Sequence, residues 1–455
     1  MSPTIFALAS GAGRAAIAVL RISGPKASQV LRALIGPLPP PRHARLARFR
    51  DPETNETLDQ GLALWFPGPQ SYTGEDMAEL HLHGGRAVVA GLISVLSRLP
   101  DLQPAEPGEF SRRAFLNAKL DLTEVEAIGD LVDAETEAQR RQALRQLDGE
   151  FGKKIESWRD RLVRALAHME AAIDFAEDDP SVSADKLRAD MEKLGREIGE
   201  CLKDNRRGEK LREGFSVAIL GPPNAGKSSL LNRLAGREAA IVSERAGTTR
   251  DVIEVHLDLA GLPVILADTA GLRETSDEIE SEGVRRALHR AGNADLNLLV
   301  LEASNVLMVD SISKQVVAKS KRNLGAPIIV VANKCDLISD IDRTINNIRD
   351  LLNEKNLPVI AVSAKTGDGV LDLLTALERA AFESLAGGPA AITRARHRIG
   401  LEECAAALSR FAQVKEPELA AEDLRLAARA LGRITGRVDV EDLLDVIFHD
   451  FCIGK

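Results

Sequence analysis

The chain has 455 residues, 44% of them hydrophobic, enough for two to four domains with cores of their own. Its net charge of −9 and 3% aromatic content make it a poor candidate for non-specific nucleic-acid coating, without ruling out a local basic face. No apolar run reaches membrane-span length, no signal peptide opens the chain, and Cys201, Cys335, Cys404 and Cys452 lack CxxC spacing, so a cytoplasmic protein without disulfide framework or zinc site is expected.

In chain order, residues 1–118 alternate short apolar strands (15–22, 62–66, 78–82) with helical stretches beginning near Lys26 and Arg86. This predicts an α+β domain. From about residue 120 the pattern becomes helical, and Ile155, Trp158, Leu162, Leu166, Met169 and Ile173 form an amphipathic stripe at steps of three and four. An α/β pattern occupies 214–383, and after Gly387-Gly388-Pro389 the chain turns helical again. The expected fold class is therefore multidomain, α/β plus all-α. Its parts are an α+β domain (1–118), a helical bundle in two pieces (119–213 and 384–455), and a Ras-like P-loop domain (214–383) inserted between them. Domain ends that lie close together tolerate such insertion.

The inserted segment carries the chemistry. Gly221-Pro222-Pro223-Asn224-Ala225-Gly226-Lys227-Ser228 follows the apolar run 215–220 and precedes a helical pattern over 229–234. Strand, glycine-rich loop and helix start together make a phosphate-binding loop: backbone N–H groups face the anion and Lys227 adds a charge for the β/γ-phosphates. The Ser228 hydroxyl suits Mg²⁺. Thr248 and Thr249, after Gly247, supply a threonine for Mg²⁺ and the γ-phosphate. Asp268-Thr269-Ala270-Gly271 ends the strand 264–267, where the carboxylate reaches Mg²⁺ through water and Gly271 offers an N–H to the γ-phosphate. Asn333-Lys334-Cys335-Asp336 ends the strand 328–332, and Asp336 can accept from both N1–H and N2–H of guanine, donors that adenine lacks. Ser363-Ala364-Lys365, after the strand 359–362, fits the loop on the guanine O6 side. GTP, with Mg²⁺, is the expected nucleotide.

Leu272 stands where signalling GTPases place a glutamine that orients the attacking water. A polar group from elsewhere must replace it. The acidic run Glu274, Asp277, Glu278, Glu280 and Glu282 follows closely, and acids at a helix start suffice to explain most of it. Near the C-terminus Arg425, Arg429, Arg433 and Arg437 recur every four residues, with Arg394, Arg396 and Arg398 upstream. Two readings stand: a salt-bridged face, or a surface for nucleic-acid phosphates. Gly432 and Gly436 weaken the end of that helix. Cys452 is expected to be a buried, inert thiol.

Three separated regions resemble one family. Thr73-Gly74-Glu75-Asp76, Glu79, Gly84-Gly85, Pro107-Gly108-Glu109-Phe110-Ser111 and the run 114–122 are similar to the N-terminal domain of the MnmE (TrmE) tRNA-modification GTPases. Asn224, Gly247-Thr248-Thr249-Arg250-Asp251, Asp268 to Arg273, and the ending Phe451-Cys452-Ile453-Gly454-Lys455 match as well. The resemblance implies a homodimer whose 1–118 domain dimerises and binds a tetrahydrofolate derivative, 5-formyl or 5,10-methylene, through Arg21, Glu79, Lys119 and Lys455. It implies the FAD-dependent partner MnmG in a heterotetrameric or larger complex. The product is an aminomethyl or carboxymethylaminomethyl group on C5 of the wobble uridine (position 34) of certain tRNAs. GTP contacts would span Asn224, Ala225, Gly226, Lys227, Ser228 and Ser229, then Ser243, Glu244, Arg245, Ala246, Gly247, Thr248 and Thr249, with Mg²⁺ on Ser228 and Thr249. It further implies a K⁺ ion on Asn224, Ser243, Arg245 and Thr248, activation through GTPase-domain dimerisation, and Glu280 as the residue that orients water. Ser243 stands where threonine is common and Pro222 where a basic residue is common; neither removes an obligatory ligand.

A ribosome-assembly or RNA-chaperone GTPase is the alternative, and a pure regulatory switch a third class. The first would normally append an RNA-binding domain such as one with a G-x-x-G clamp, which this chain does not visibly carry. If Asp336 reads guanine, Asp336→Asn moves preference from GTP towards xanthine nucleotides by about 1.5–3 kcal/mol. Competition binding measures this, and equal affinity of the unmodified protein for ATP and GTP would contradict it.

Overall fold

The computed structural model describes residues 3–174, 184–237, 239–241, 254–268, 289–305, 311–321, 326–387, 391–438, 444, 447–449 and 451–454. They form two compact units, each discontinuous in sequence: 1–129 with 146–195 and 400–455, and 130–145 with 196–399.

The first unit contains a six-stranded sheet built from β1 (Thr4–Leu8), β2 (Ile17–Ser23), β3 (Arg45–Arg50), β4 (Thr57–Phe66), β5 (Met77–His83) and β6 (Leu102–Pro104). Their order is β3-β4-β5-β2-β1-β6, antiparallel except for the β1–β6 pair. Alternation drives the packing. In β2 the buried residues Ala18, Leu20 and Ile22 face the core, and Val19 and Arg21 take the other side. Helices Ala27–Ile35 and Arg86–Arg98 bring Leu31, Leu34, Leu92 and Leu96 to the same core. The expected strands and both helices are present. β1, β3 and β6 were not anticipated, since β1 is a short uniformly buried run and β3 is rich in arginine.

In the same unit, helix Glu150–Asp174 packs against helix Pro417–Thr435. Ile155, Trp158 and Leu162 of the predicted stripe are buried; beyond them Leu166, Met169 and Ile173 are only half-buried, and Ala165 takes the buried place. The facing helix contributes small residues, Ala420, Ala427 and Ala430, which allow close approach. Pro417 opens that helix and Gly436, at φ 86°, closes it. Gly432 remains inside the helix, so only Gly436 acts as the terminator.

The second unit holds a seven-stranded sheet of β7 (Phe215–Leu220), β8 (Ala240–Ile241), β9 (Glu254–Leu259), β10 (Leu262–Asp268), β11 (Leu296–Glu302), β12 (Ile328–Asn333) and β13 (Val359–Val362). The order is β13-β12-β11-β7-β10-β9-β8, and β13, β12, β11, β7 and β10 run parallel. The almost wholly buried patterns of the central strands β7, β11 and β12 fit a sheet covered on both faces. Below β7, the short helix Arg207–Glu213 is a junction. Arg398 donates to Glu209 (3.1 Å) and Asp204 (2.7 Å), Gln142 donates to the Gly208 carbonyl (3.1 Å), and Lys210 pairs with Asp295 (3.0 Å). Among the described residues no helix is long and apolar enough to cross a membrane.

Trp158→Ala removes a side chain only 3% exposed from the seam between the two long helices. The expected loss is about 3–5 kcal/mol, read as a lower urea midpoint for the transition followed by Trp65 fluorescence.

Candidate functional site

Parallel strands deliver their loops to one edge, and ligands of such sheets bind where the strand order reverses. Here the reversal flanks β7, and a cavity lined by Pro222, Pro223, Asn224, Ala225, Leu301, Glu302 and Asn305 lies between the loops after β7 and β11. The glycine-rich loop 221–228 thus lies where sheet topology, as well as the motif, would put a phosphate-binding loop.

Within that loop Asn224 adopts a left-handed conformation (φ 61°) and is exposed, while Ala225 is buried. Gly226 caps helix Lys227–Ala235 at φ 90°, and a Cβ there would lie 2.2 Å from Asn333 Nδ2. Both facts demand glycine. Lys227 is 8% exposed; its Nζ donates to the carbonyls of Gly221 (2.8 Å) and Pro222 (2.9 Å). An ammonium curled into the loop, beside a helix start with its unsatisfied N–H groups, is a donor set for phosphate. Ser228 and Ser229 are exposed on the first turn. Asp268 ends β10, parallel to β7.

The base side is tied to the phosphate side. Asn333, 1% exposed, donates from Nδ2 to the Ala225 carbonyl (2.9 Å) and accepts at Oδ1 from the Ala364 N–H (3.1 Å). Ser363 Oγ donates to Asp336 Oδ1 (2.7 Å), which orients the carboxylate and leaves acceptor positions on both its oxygens for a ligand. Lys334, at φ 62°, pairs with Glu302 (2.7 Å). That lysine and the Ser304 hydroxyl hold the Glu302 carboxyl below its usual range, against a smaller effect of burial. Glu302 was not singled out in the sequence; an acid ending an apolar strand was the available signal. Ser243, Glu244, Arg245, Ala246, Gly247, Thr248, Thr249, Thr269, Ala270, Gly271 and Glu280 lie outside the described residues.

A second cluster occupies the other unit. Arg21 and Glu79 are register partners on β2 and β5, bonded through Arg21 Nη2 at 3.0 Å and Nε at 3.1 Å. The guanidinium also lies 5.3 Å from the Tyr72 ring centre and 5.7 Å from that of Phe110, cation–π distances. Neither aromatic was anticipated as a site residue. Burial raises the Tyr72 phenol above its usual range, opposed by Ser111 and Arg21. Motif residues knit the surrounding loops: Ser23 bonds Thr73 and Glu75 (2.7 and 2.8 Å), Arg113 bonds Glu75 and Glu109 (3.0 and 2.7 Å), and Asn117 bonds the Thr73 carbonyl (2.7 Å). Lys119 donates to the Pro69 carbonyl (3.1 Å).

The chain's end returns to this cluster. Ile453 forms an antiparallel bridge with Pro107, Gly108 N–H donates to the Cys452 carbonyl (3.5 Å), and Arg21 donates to the Gly454 carbonyl (3.4 Å). Gly454 sits at φ 99°, and a Cβ there would come within 2.2 Å of the Leu8 carbonyl. Phe448, buried with Leu122, Val125 and Leu444, anchors the approach. Lys455 lies outside the described residues.

In the arginine stripe, Arg425 pairs with Glu170 (2.9 Å) and Glu422, Arg433 with Glu403, and Arg437 with Glu156 (3.7 Å); upstream, Arg394 pairs with Asp130 (2.6 Å). These pairings favour the salt-bridged reading of the face.

Comparison with known proteins agrees across the whole length. The family profile described as GTP-binding protein TrmE N-terminus matches residues 4–119, and that described as MnmE helical domain matches residues 122–452. The chain is 58% identical to the tRNA modification GTPase MnmE of Paramagnetospirillum magneticum, over 100% of both chains. It is 57% identical to the protein of that name from Parvibaculum lavamentivorans, covering 99% of this chain and 100% of the other. For Rhodospirillum rubrum the identity is 51%, covering 99% of each.

Cys452 departs from expectation: it is exposed, not buried. The tail docks chiefly through its main chain and through Phe448, so the side chains of Cys452 and Ile453 face outward. Burial pushes the Cys404 thiol up to about 12 and raises that of Cys335, where the Asp368 and Asp336 charges add to the effect. A raised thiol stays protonated and unreactive at pH 8. An aromatic disulfide reagent at that pH should modify Cys452 rapidly, and Cys404 and Cys335 only in denaturant. Cys452→Ser should remove the fast phase.

Proposed function

The chain belongs to the MnmE (TrmE) family of tRNA-modification GTPases, and on that premise we propose that its GTP cycle drives modification at C5 of the wobble uridine of tRNA. The carrying observation is the base-side geometry: Asp336 is oriented by Ser363 and tied through Asn333 to the phosphate loop, an arrangement suited to guanine. Lys227 would turn from the loop carbonyls to the β/γ-phosphates. Ser228 and Thr249 would hold Mg²⁺, and Asn224, Ser243, Arg245 and Thr248 a K⁺ ion. The exposed, left-handed Asn224 is compatible with that role. Bound there, the cations would supply positive charge beside the phosphates. Leu272 cannot orient water; by the resemblance to the family Glu280 takes that role, completed when two GTPase domains (214–383) dimerise.

For the one-carbon chemistry we infer a tetrahydrofolate derivative, 5-formyl or 5,10-methylene, held by Arg21, Glu79, Lys119 and Lys455. Glu79 can accept from a pterin's amino and ring N–H groups, and the cations suit carboxylate and carbonyl oxygens. The Arg21–Glu79 pair, flanked by Tyr72 and Phe110 and closed by the Gly454 carbonyl, supports this reading. The functional assembly in this reading is a homodimer working with the FAD-dependent MnmG, its helical domain formed by 119–213 and 384–455.

Two measurements test the reading. Replacing K⁺ with Na⁺ should lower GTP turnover, and Glu280→Ala should retain nucleotide binding while losing about 10²-fold or more of kcat, as for a group acting only in the transition state. Nucleoside mass spectrometry of tRNA should show wobble-uridine modification lost in cells lacking the protein and restored by the native chain but not by Glu280→Ala. Unmodified turnover in Na⁺, or intact modification without the protein, would refute the corresponding half.

A further inference from the structure

Arg233 stands in the last turn of helix Lys227–Ala235, the helix that begins at the phosphate-binding loop. Its guanidinium leaves that helix. Nε donates to the Ala364 carbonyl at 3.0 Å and Nη2 to the Lys365 carbonyl at 2.5 Å. Both acceptors belong to the loop after β13. That loop is tightly wound, with Gly367 N–H on the Ser363 carbonyl (2.8 Å) and Thr366 N–H on Ser363 Oγ (3.1 Å). The same Ser363 hydroxyl orients Asp336.

We propose that Arg233 is a positioning residue for guanine recognition, clamping the base-side loop to the phosphate-side helix so that Ser363 keeps Asp336 aligned. The proposal rests on the guanine-nucleotide reading above. A planar guanidinium can address two consecutive carbonyls as a fork; an ammonium on a flexible stem cannot reproduce that fork. The helix is then gripped at both ends by the base side: Asn333 holds the Ala225 carbonyl at its start, and Arg233 holds residues 364 and 365 from its last turn. Loss of the clamp leaves the Asn333–Ala364 bond in place, so base affinity falls without vanishing.

The test uses the full-length protein carrying Arg233→Met, which keeps the stem without donors, or Arg233→Lys, which keeps the charge without the fork. Release of a fluorescent methylanthraniloyl GDP is followed after a chase with excess GDP. kcat and KM are measured for GTP and for ITP, which lacks the 2-amino group that Asp336 reads. In Arg233→Met, release should quicken about tenfold, less than two charged hydrogen bonds would contribute directly, because the clamp acts on the base only through the loop. KM for GTP should rise in parallel, kcat should change less than twofold, and the preference for GTP over ITP should shrink, with Arg233→Lys intermediate. Release within twofold of the native rate, or a lowered melting temperature with an unchanged GTP-to-ITP preference, overturns the proposal. If Arg233→Met fails to fold, the same criteria applied to Arg233→Lys decide. Failure of the guanine reading itself would look different: the native protein would not separate GTP from ATP.

Discussion

The side-chain amide of Asn333 joins the two loops of the proposed nucleotide site, and the other contacts of those loops are arranged around it. Its Nδ2 is committed to the phosphate loop at Ala225 and its Oδ1 to the base loop at Ala364, both inside the protein. A buried amide left with either end unmatched costs about 1–3 kcal/mol, so the two loops are held at one spacing. Gly226 must lack a side chain because Asn333 occupies the space where a Cβ would stand. Lys227 and Asp336 inherit their positions from this arrangement. The parallel sheet makes the joint possible, since it brings the ends of β7, β12 and β13 to the same edge.

In the other unit a similar principle operates with charges. Arg113, only 8% exposed, is matched by Glu75 and Glu109, and Glu75 in turn accepts from Ser23. Buried ions are tolerated where each is paired and hydrogen-bonded. The residues that mark the family in this region therefore act largely as a scaffold, holding the loops around Arg21 and Glu79. The tail closes the same cluster through main-chain contacts, so its sequence needs a glycine that can approach Leu8 more than it needs particular exposed side chains.

The junction helix Arg207–Glu213 links these themes. Glu209 is nearly inaccessible and shared between Arg206 and Arg398. Residues far apart in sequence, 139–142, 204–213 and 393–398, meet there, where the chain passes into and out of the segment carrying the P-loop sheet. Such a joint fixes the lower end of β7 while the nucleotide loops occupy its upper end.

Much of this was legible in the chain itself. Local signals placed the strand Phe215–Leu220, its glycine loop and the helix after it, because hydrophobic periodicity and a glycine needing positive φ are properties of short segments. The strand-end positions of Asp336 and Ser363 were likewise readable locally, and the structure brings the two together through a hydrogen bond. Other features were invisible locally. β3 is rich in arginine and reads as loop until β4 pairs with it; Tyr72 and Phe110 gain a role only beside Arg21. The exposure of Cys452 depends on which groups of the tail make the docking contacts. The partners of the arginine stripe, Glu170, Glu403 and Glu156, lie on other segments. The sequence by itself determined the chemistry of each loop, since a motif carries its own donors and backbone freedom. Tertiary structure alone decided which loops share a hydrogen bond, because pairing between distant residues is set by sheet order and packing, which no local pattern encodes.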